Sequence, residues 1–123
     1  MISGTVTASH EIVILVRVRG TGSAEQDIDA VLDTGFNGSL TLPTNTVASL
    51  GLQWQSRGSA TLANGQVVQF DVYCGAVIWD GAMQRILVQA VDGAPLLGMA
   101  LLMNHDLRAR LVVAGRAEIT AIP

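Results

Sequence analysis

One short run in the chain can hold a carboxylate in a working position. Asp33-Thr34-Gly35 follows the apolar stretch Ala30-Val31-Leu32. A strand ending in such a residue sets the side chain on a rigid element, and the glycine allows a tight turn that exposes it. A carboxylate so placed can take or give a proton, and Thr34 can fix the loop by hydrogen bonding to backbone. The same tripeptide also makes a plain Asx-type turn, in which Asp33 only changes the chain direction. On the tripeptide alone the plain turn is the more frequent case.

The remaining polar candidates are weaker. His10 and His105 lie far apart and lack partner spacing, so they read as exposed or turn residues rather than as metal ligands or triad members. Cys74 falls in an expected strand and reads as a small core residue. Asp27 and Asp29 alternate with Ile28 and Ala30, the pattern of a solvated strand face. Asp80 and Asp92 fall in turns, and Trp54 and Trp79 read as packing residues.

The elements that must position Asp33 are short strands. Ile12 to Val18 and Ile28 to Leu32 read as strands separated by a loop at Gly20 to Ser23. Leu40-Thr41-Leu42-Pro43 precedes a short helix expected over Thr46 to Leu50, with Gly51 as its stop. Asn64-Gly65 stands between two alternating runs, Ser59 to Ala63 and Gln66 to Val72. Asn-Gly favours a type I′ turn, so this is an expected hairpin. Asp80-Gly81 marks a second hairpin, joining Ala76 to Trp79 with Arg85 to Val91. Leu96-Leu97-Gly98 leads into a second short helix, Met99 to Asn104. Leu111 to Ala114 and Ala117 to Ile122 are expected to close the chain as strands around Gly115. A faint internal echo sets Leu32-Asp33-Thr34-Gly35 before one helix and Leu96-Leu97-Gly98 before the other.

Composition bounds the function classes. A chain of 123 residues supports one domain, residues 1–123, with a modest core. Ten acidic residues against seven arginines, with no lysine, give a net charge of −3. That balance argues against nucleic acid or an anionic membrane surface as partner, since both need a dense basic patch. Half the residues are hydrophobic, which argues against disorder. A single cysteine allows no internal disulfide and no cysteine-based metal cluster. The apolar runs fall far below the ~20 residues that span a bilayer, and no leader is read at the N-terminus, so a cytoplasmic location is expected. Thirteen glycines among many Thr and Val residues point to a β-rich, turn-rich fold.

Taken together, Val31 to Pro43 (VLDTGFNGSLTLP) and Leu96 to Leu102 (LLGMALL) resemble the retropepsin-like aspartic proteases, most closely their single-domain bacterial branch. The hallmarks are apolar-apolar-Asp-Thr-Gly and then apolar-apolar-Gly opening a short helix, with Gly98 standing 65 residues after Asp33. The resemblance runs from about Ile12 to Ile119 and includes a hairpin between the two motifs.

This resemblance implies an all-β fold, a closed acid-protease barrel with one or two short helices. It also implies a homodimer acting on peptide or protein, with no cofactor and no metal. By position, Asp33 is the catalytic carboxylate, while Thr34 and Gly35 support the active-site loop. Leu62, Ala63, Asn64, Gly65, Gln66 and Val67 form a flap over substrate. Phe36, Ala94, Pro95 and Leu96 contribute to a side-chain pocket. The chemistry needs two carboxylates sharing one proton, and a chain with one Asp-Thr-Gly supplies two only by symmetric pairing. A dimerisation or peptide-binding module on the same fold, without catalysis, is the alternative. Two departures stand out: Phe36 replaces the alanine usual in retroviral enzymes, and Met99 stands where they carry an arginine that supports the dimer.

Overall fold

Alternation of β-branched and polar residues determines how the strands sit. In the computed structural model, which describes all 123 residues, strand β1 covers Ile2–Val6, β2 Ile12–Arg19 and β3 Glu25–Leu32. Ile14, Val16 and Val18 of β2 are buried, whereas Leu15 and Arg17 between them face out. Ile28 and Ala30 of β3 are buried, with Asp27 and Asp29 exposed as expected. The two strands pair antiparallel, which sets Arg17 opposite Asp27, and the guanidinium Nε donates to Asp27 Oδ1 at 2.9 Å.

The chain continues through β4 (Leu40–Leu42), α1 (Thr44–Leu50), β5 (Gln53–Thr61), β6 (Val67–Trp79) and β7 (Ala82–Ala90). It ends with β8 (Leu96–Leu97), α2 (Met99–Leu102), β9 (His105–Ala109) and β10 (Arg116–Ala121). All ten strands form one sheet in the order β5-β6-β7-β4-β8-β3-β2-β1-β10-β9. A further pairing of β2 with β6 closes the segment from β6 round to β2 into a ring. Inside it pack Ile14, Val16, Leu40, Leu42, Val88 and Leu97, every one nearly or fully inaccessible. Truncating any of these large side chains to alanine costs about 2–5 kcal/mol.

Helix α1 begins two residues earlier than expected, because it is capped from outside. Pro43 offers no side-chain cap, and Asp92 instead accepts from both the Thr44 N–H (3.1 Å) and the Thr44 hydroxyl (3.0 Å). These bonds hold the Asp92 carboxyl below the usual carboxylate range. Gly51 ends the helix at φ 63°, as its position predicted.

Several expectations are corrected. The runs Gln66 to Val72 and Ala76 to Trp79 belong to one continuous strand, β6, which carries on through Tyr73-Cys74-Gly75. Leu111 to Ala114 is a turn. The Gly115 N–H donates to the Val112 carbonyl, Ala114 sits at φ 65°, and a Cβ on Gly115 would press on the Arg110 carbonyl. The strand before that turn is β9, His-Asp-Leu-Arg-Ala at the sheet edge, whose two apolar residues, Leu107 and Ala109, are too few to mark it by pattern. Strand β1 carries no strand signal in its sequence, because Gly4 sits at its centre. A Cβ there would meet the Val13 carbonyl of the neighbouring strand at 2.6 Å. Cys74 is exposed rather than buried, with Sγ 2.8 Å from Gln55 Oε1 on the outer face of the hairpin. Trp79 packs in the core as expected, its ring edge-on to His105 at 6.0 Å. Trp54 lies outside, where its Nε1 donates to Asp71.

Candidate functional site

Asp33 sits where two strands carry the internal echo side by side. Strands β3 and β8 pair in parallel, Val31 opposite Leu96 and Leu32 opposite Leu97. Beyond that pair the Asp33 N–H donates to the Leu97 carbonyl at 2.9 Å, so the residue's backbone is tied to buried β8. The following turn closes with the Phe36 N–H donating to the Asp33 carbonyl at 3.1 Å. The Gly35 N–H donates to Asp33 Oδ1 at 2.9 Å. An Asx-type turn is therefore present, and it orients the carboxylate through one oxygen while Oδ2 lies outside that bond.

Asp33 is half-buried, and Thr34 and Gly35 are exposed. The bonds that fix the turn come from Asp33, Gly35 and Phe36, not from the Thr34 hydroxyl, contrary to the expectation for that residue. Behind the turn the packing is tight. The Gly98 N–H donates to the Ser39 carbonyl, Met99 N–H to the Phe36 carbonyl at 2.8 Å, and Ala100 N–H to the Gly38 carbonyl at 3.1 Å. The Phe36 ring lies over Gly38 and Gly98, which explains why this chain carries a large aromatic residue at that position. Buried Thr41 of β4 completes the support, its Oγ1 accepting the Leu96 N–H at 2.9 Å.

The expected hairpin exists, with β5 and β6 paired from Gln53–Cys74 out to Thr61–Val67. Its tip differs in detail. The Gly65 N–H donates to the Leu62 carbonyl and the Leu62 N–H to the Gln66 carbonyl, so Ala63, Asn64 and Gly65 form a three-residue loop. Only Gly65 has positive φ (83°), because Asn64 Oδ1 accepts the Gln66 N–H and holds Asn64 in an Asx turn. A three-residue loop with a left-handed glycine, rather than a type I′ turn, is the result. Residues 62 to 67 are all exposed. Asp80-Gly81, by contrast, forms a two-residue turn with both residues at positive φ (52° and 82°).

A cleft of about 490 Å³ lies between the hairpin and the loop that follows Asp33. Gly38 and Ser39 wall it on the loop side, and Ser56, Gly58, Phe70 and Gln89 on the strand side. None of these six was singled out from sequence. The available signal was the small-residue alternation Ser56, Gly58 on β5, whose partners Val72 and Phe70 share that face. Of the remaining pocket candidates, Ala94 is exposed while Pro95 and Leu96 are half-buried, and the Pro95 carbonyl accepts the Val31 N–H at 2.8 Å. No group of three or more His, Cys, Asp or Glu side chains is arranged to hold a metal ion. No helix is long and apolar enough to cross a membrane. The chain matches no family model, no curated protein and no solved structure.

Proposed function

We propose that this chain is an aspartic-type endopeptidase of retropepsin-like kind, active as a homodimer in which each copy supplies one Asp33. The observation that carries the reading is the position of that carboxylate. It ends a strand anchored to β8, in a turn whose continuation, Gly38 and Ser39, walls a cleft that the β5–β6 hairpin also walls, although Asp33 itself does not line that cleft. The ring of strands is read as the closed barrel of that group, and the hairpin as the flap. Gln53 to Thr61 offers a free strand edge along the hairpin, which suits an extended peptide adding to the sheet.

In the paired site the two Asp33 carboxylates share one proton, because like charges about 3 Å apart do not both ionise. The ionised member takes a proton from water, which attacks the scissile carbonyl carbon. The protonated member donates to the carbonyl oxygen, giving a tetrahedral diol. Collapse breaks the C–N bond as a proton passes to the leaving nitrogen, and the dyad returns to one shared proton. The Gly35 N–H bond to Oδ1 holds the orientation of each carboxylate before substrate arrives. The reducing, cytoplasmic setting expected from one cysteine belongs to the same proposal.

Asp33→Asn tests it. An amide oxygen still accepts the Gly35 N–H, so the turn survives, yet the side chain cannot serve as base. Cleavage of a mixed peptide library should fall by at least about 100-fold, the usual scale for a lost acid–base group, with the fold intact. Equal cleavage by Asp33→Asn and parent would leave Asp33 as a turn residue only.

A further inference from the structure

The cleft beside the Asp33 loop carries one charge. Around its volume of about 490 Å³, Arg85 of β7 is the sole ionisable side chain, and no carboxylate lines it. Arg85 is exposed and joins no ion pair, whereas Arg17 and Arg19 are held by Asp27 and Glu25 at 2.9 and 2.7 Å. Arg19 and Arg85 both stand opposite Ala76, one on each side of β6, so they share a face of the sheet. Arg85 is the uncommitted cation on that face.

Strand register aims it at the cleft. Residues two apart on a strand share a face, so Arg85, Leu87 and Gln89 form one row on β7. Ala76, Cys74 and Val72 stand opposite them on β6, and Ser56 lies beyond Val72 on β5. Ala76 is too small to cover a guanidinium. At the other end of the row, Gln89 reaches the loop that follows Asp33, since a Cβ on Gly38 would stand 3.1 Å from Gln89 Nε2. Between these ends Phe70, Val72 and Leu87 supply apolar surface. The Phe70 ring lies against Gly58, where a Cβ would meet it at 2.6 Å.

We infer that this cleft holds an acidic side chain of the bound peptide, glutamate better than aspartate, and that Arg85 is the residue that selects it. The inference rests on the proposed function in taking the ligand as a peptide, and it adds the class of substrate. A guanidinium presents its donors in a fork that matches a carboxylate. The apolar surface takes the methylenes of the side chain, and glutamate has one more of them than aspartate to cover it. The Ser39 and Ser56 hydroxyls and the Gln89 amide are further donors around the cleft. A lysine or arginine of the peptide would instead meet Arg85 with no carboxylate to offset the repulsion. The row from Arg85 to Gln89 spans about 13 Å. Asp33 lies outside the cleft, so the selected residue sits a few positions from the scissile bond rather than beside it.

Positional pools test the selection. Fluorescein-labelled decapeptides of random sequence, each pool fixed as Glu, Gln or Lys at one position, are titrated by anisotropy against Asp33→Asn, which binds without turnover. At one or two positions the Glu pool should bind about fivefold more tightly than the Gln pool, the upper end for a charge pair that stays open to water, and the Lys pool more weakly than both. Adding Arg85→Gln should erase the difference between Glu and Gln, Arg85→Lys should retain part of it, and Arg85→Glu should make the Lys pool the tightest. Arg85 is exposed, and circular dichroism should find each variant folded like the parent. Equal binding of Glu and Gln pools at every position would overturn the inference, as would a preference that survives Arg85→Gln, or no peptide binding at all. Cleavage of the same pools by the parent separates this inference from the peptidase reading. A parent that cleaves without any Arg85-dependent preference keeps the peptidase and loses the carboxylate site. An Arg85-dependent binding preference in a protein that cleaves nothing keeps the site and loses the peptidase.

Discussion

Gly98→Ala should loosen the site from behind while leaving its chemistry untouched. Gly98 sits at φ −112°, ψ −177°, a region alanine adopts freely, so the effect is purely steric. A Cβ there would fall against the Gly38 carbonyl oxygen, 2.5 Å from Phe36 Cδ2 and 2.7 Å from the Phe36 carbonyl oxygen. Ordinary contact begins near 3.4 Å, and two of these three atoms are backbone that cannot rotate away. The 36–38 loop must therefore move by the better part of an ångström. That movement weakens the bonds from the Met99 and Ala100 N–H groups to the Phe36 and Gly38 carbonyls. Overpacking of this kind costs about 3 kcal/mol, near the top of the usual range, which for a chain of this length is about 10 °C in Tm. Gly35→Ala is the control, since its Cβ would meet only the Asp33 Oδ1 side-chain atom, at 3.2 Å. It should keep within about 1 kcal/mol of the parent while reducing any peptide cleavage. Thermal and urea unfolding of both variants provide the assay. A Gly98→Ala protein that melts with the parent would refute the account of how α2 buttresses the loop.

The other predictions follow from single contacts. Thr41→Val removes the acceptor of the Leu96 N–H and should cost about 1–3 kcal/mol, whereas Thr41→Ser should recover most of it; equal losses would mean the methyl group, not the bond, matters. Gly65→Val meets no steric neighbour but must hold φ 83°, so it should slow peptide turnover more than it lowers Tm; unchanged turnover would remove the hairpin tip from the site. Asp92 is held below the usual carboxylate range by Thr44, so its contribution is present above that range and is lost as pH falls through its lowered value. The stability gap between parent and Asp92→Asn should shrink on acidification, and a gap that widens toward low pH would contradict the cap at α1. Asp27, lowered by its bond to Arg17, should behave in the same direction.

The local features were legible because short-range rules govern them. Alternation located β2 and β3, paired turn residues located both hairpins, and Gly51 marked the end of α1. Asp33-Thr34-Gly35 stood out by type and spacing, and the Leu32/Leu97 echo became an adjacent parallel pair. Local pattern was silent where a distant partner decides. Asp92 caps a helix 48 residues away, Thr41 serves an amide in β8, and β9 is a strand only because β10 returns beside it. The cleft walls Ser56, Gly58 and Gln89 are unremarkable residues until register aligns them, and Cys74 and Trp54 face outward because the hairpin leaves the core. Side-chain alternation and turn chemistry are properties of neighbouring residues and so are written in the sequence itself. Which strand closes the ring, which face of a hairpin meets a loop, and which backbone group is left at an edge depend on long-range hydrogen bonding and burial. Those were decided only when the whole chain packed.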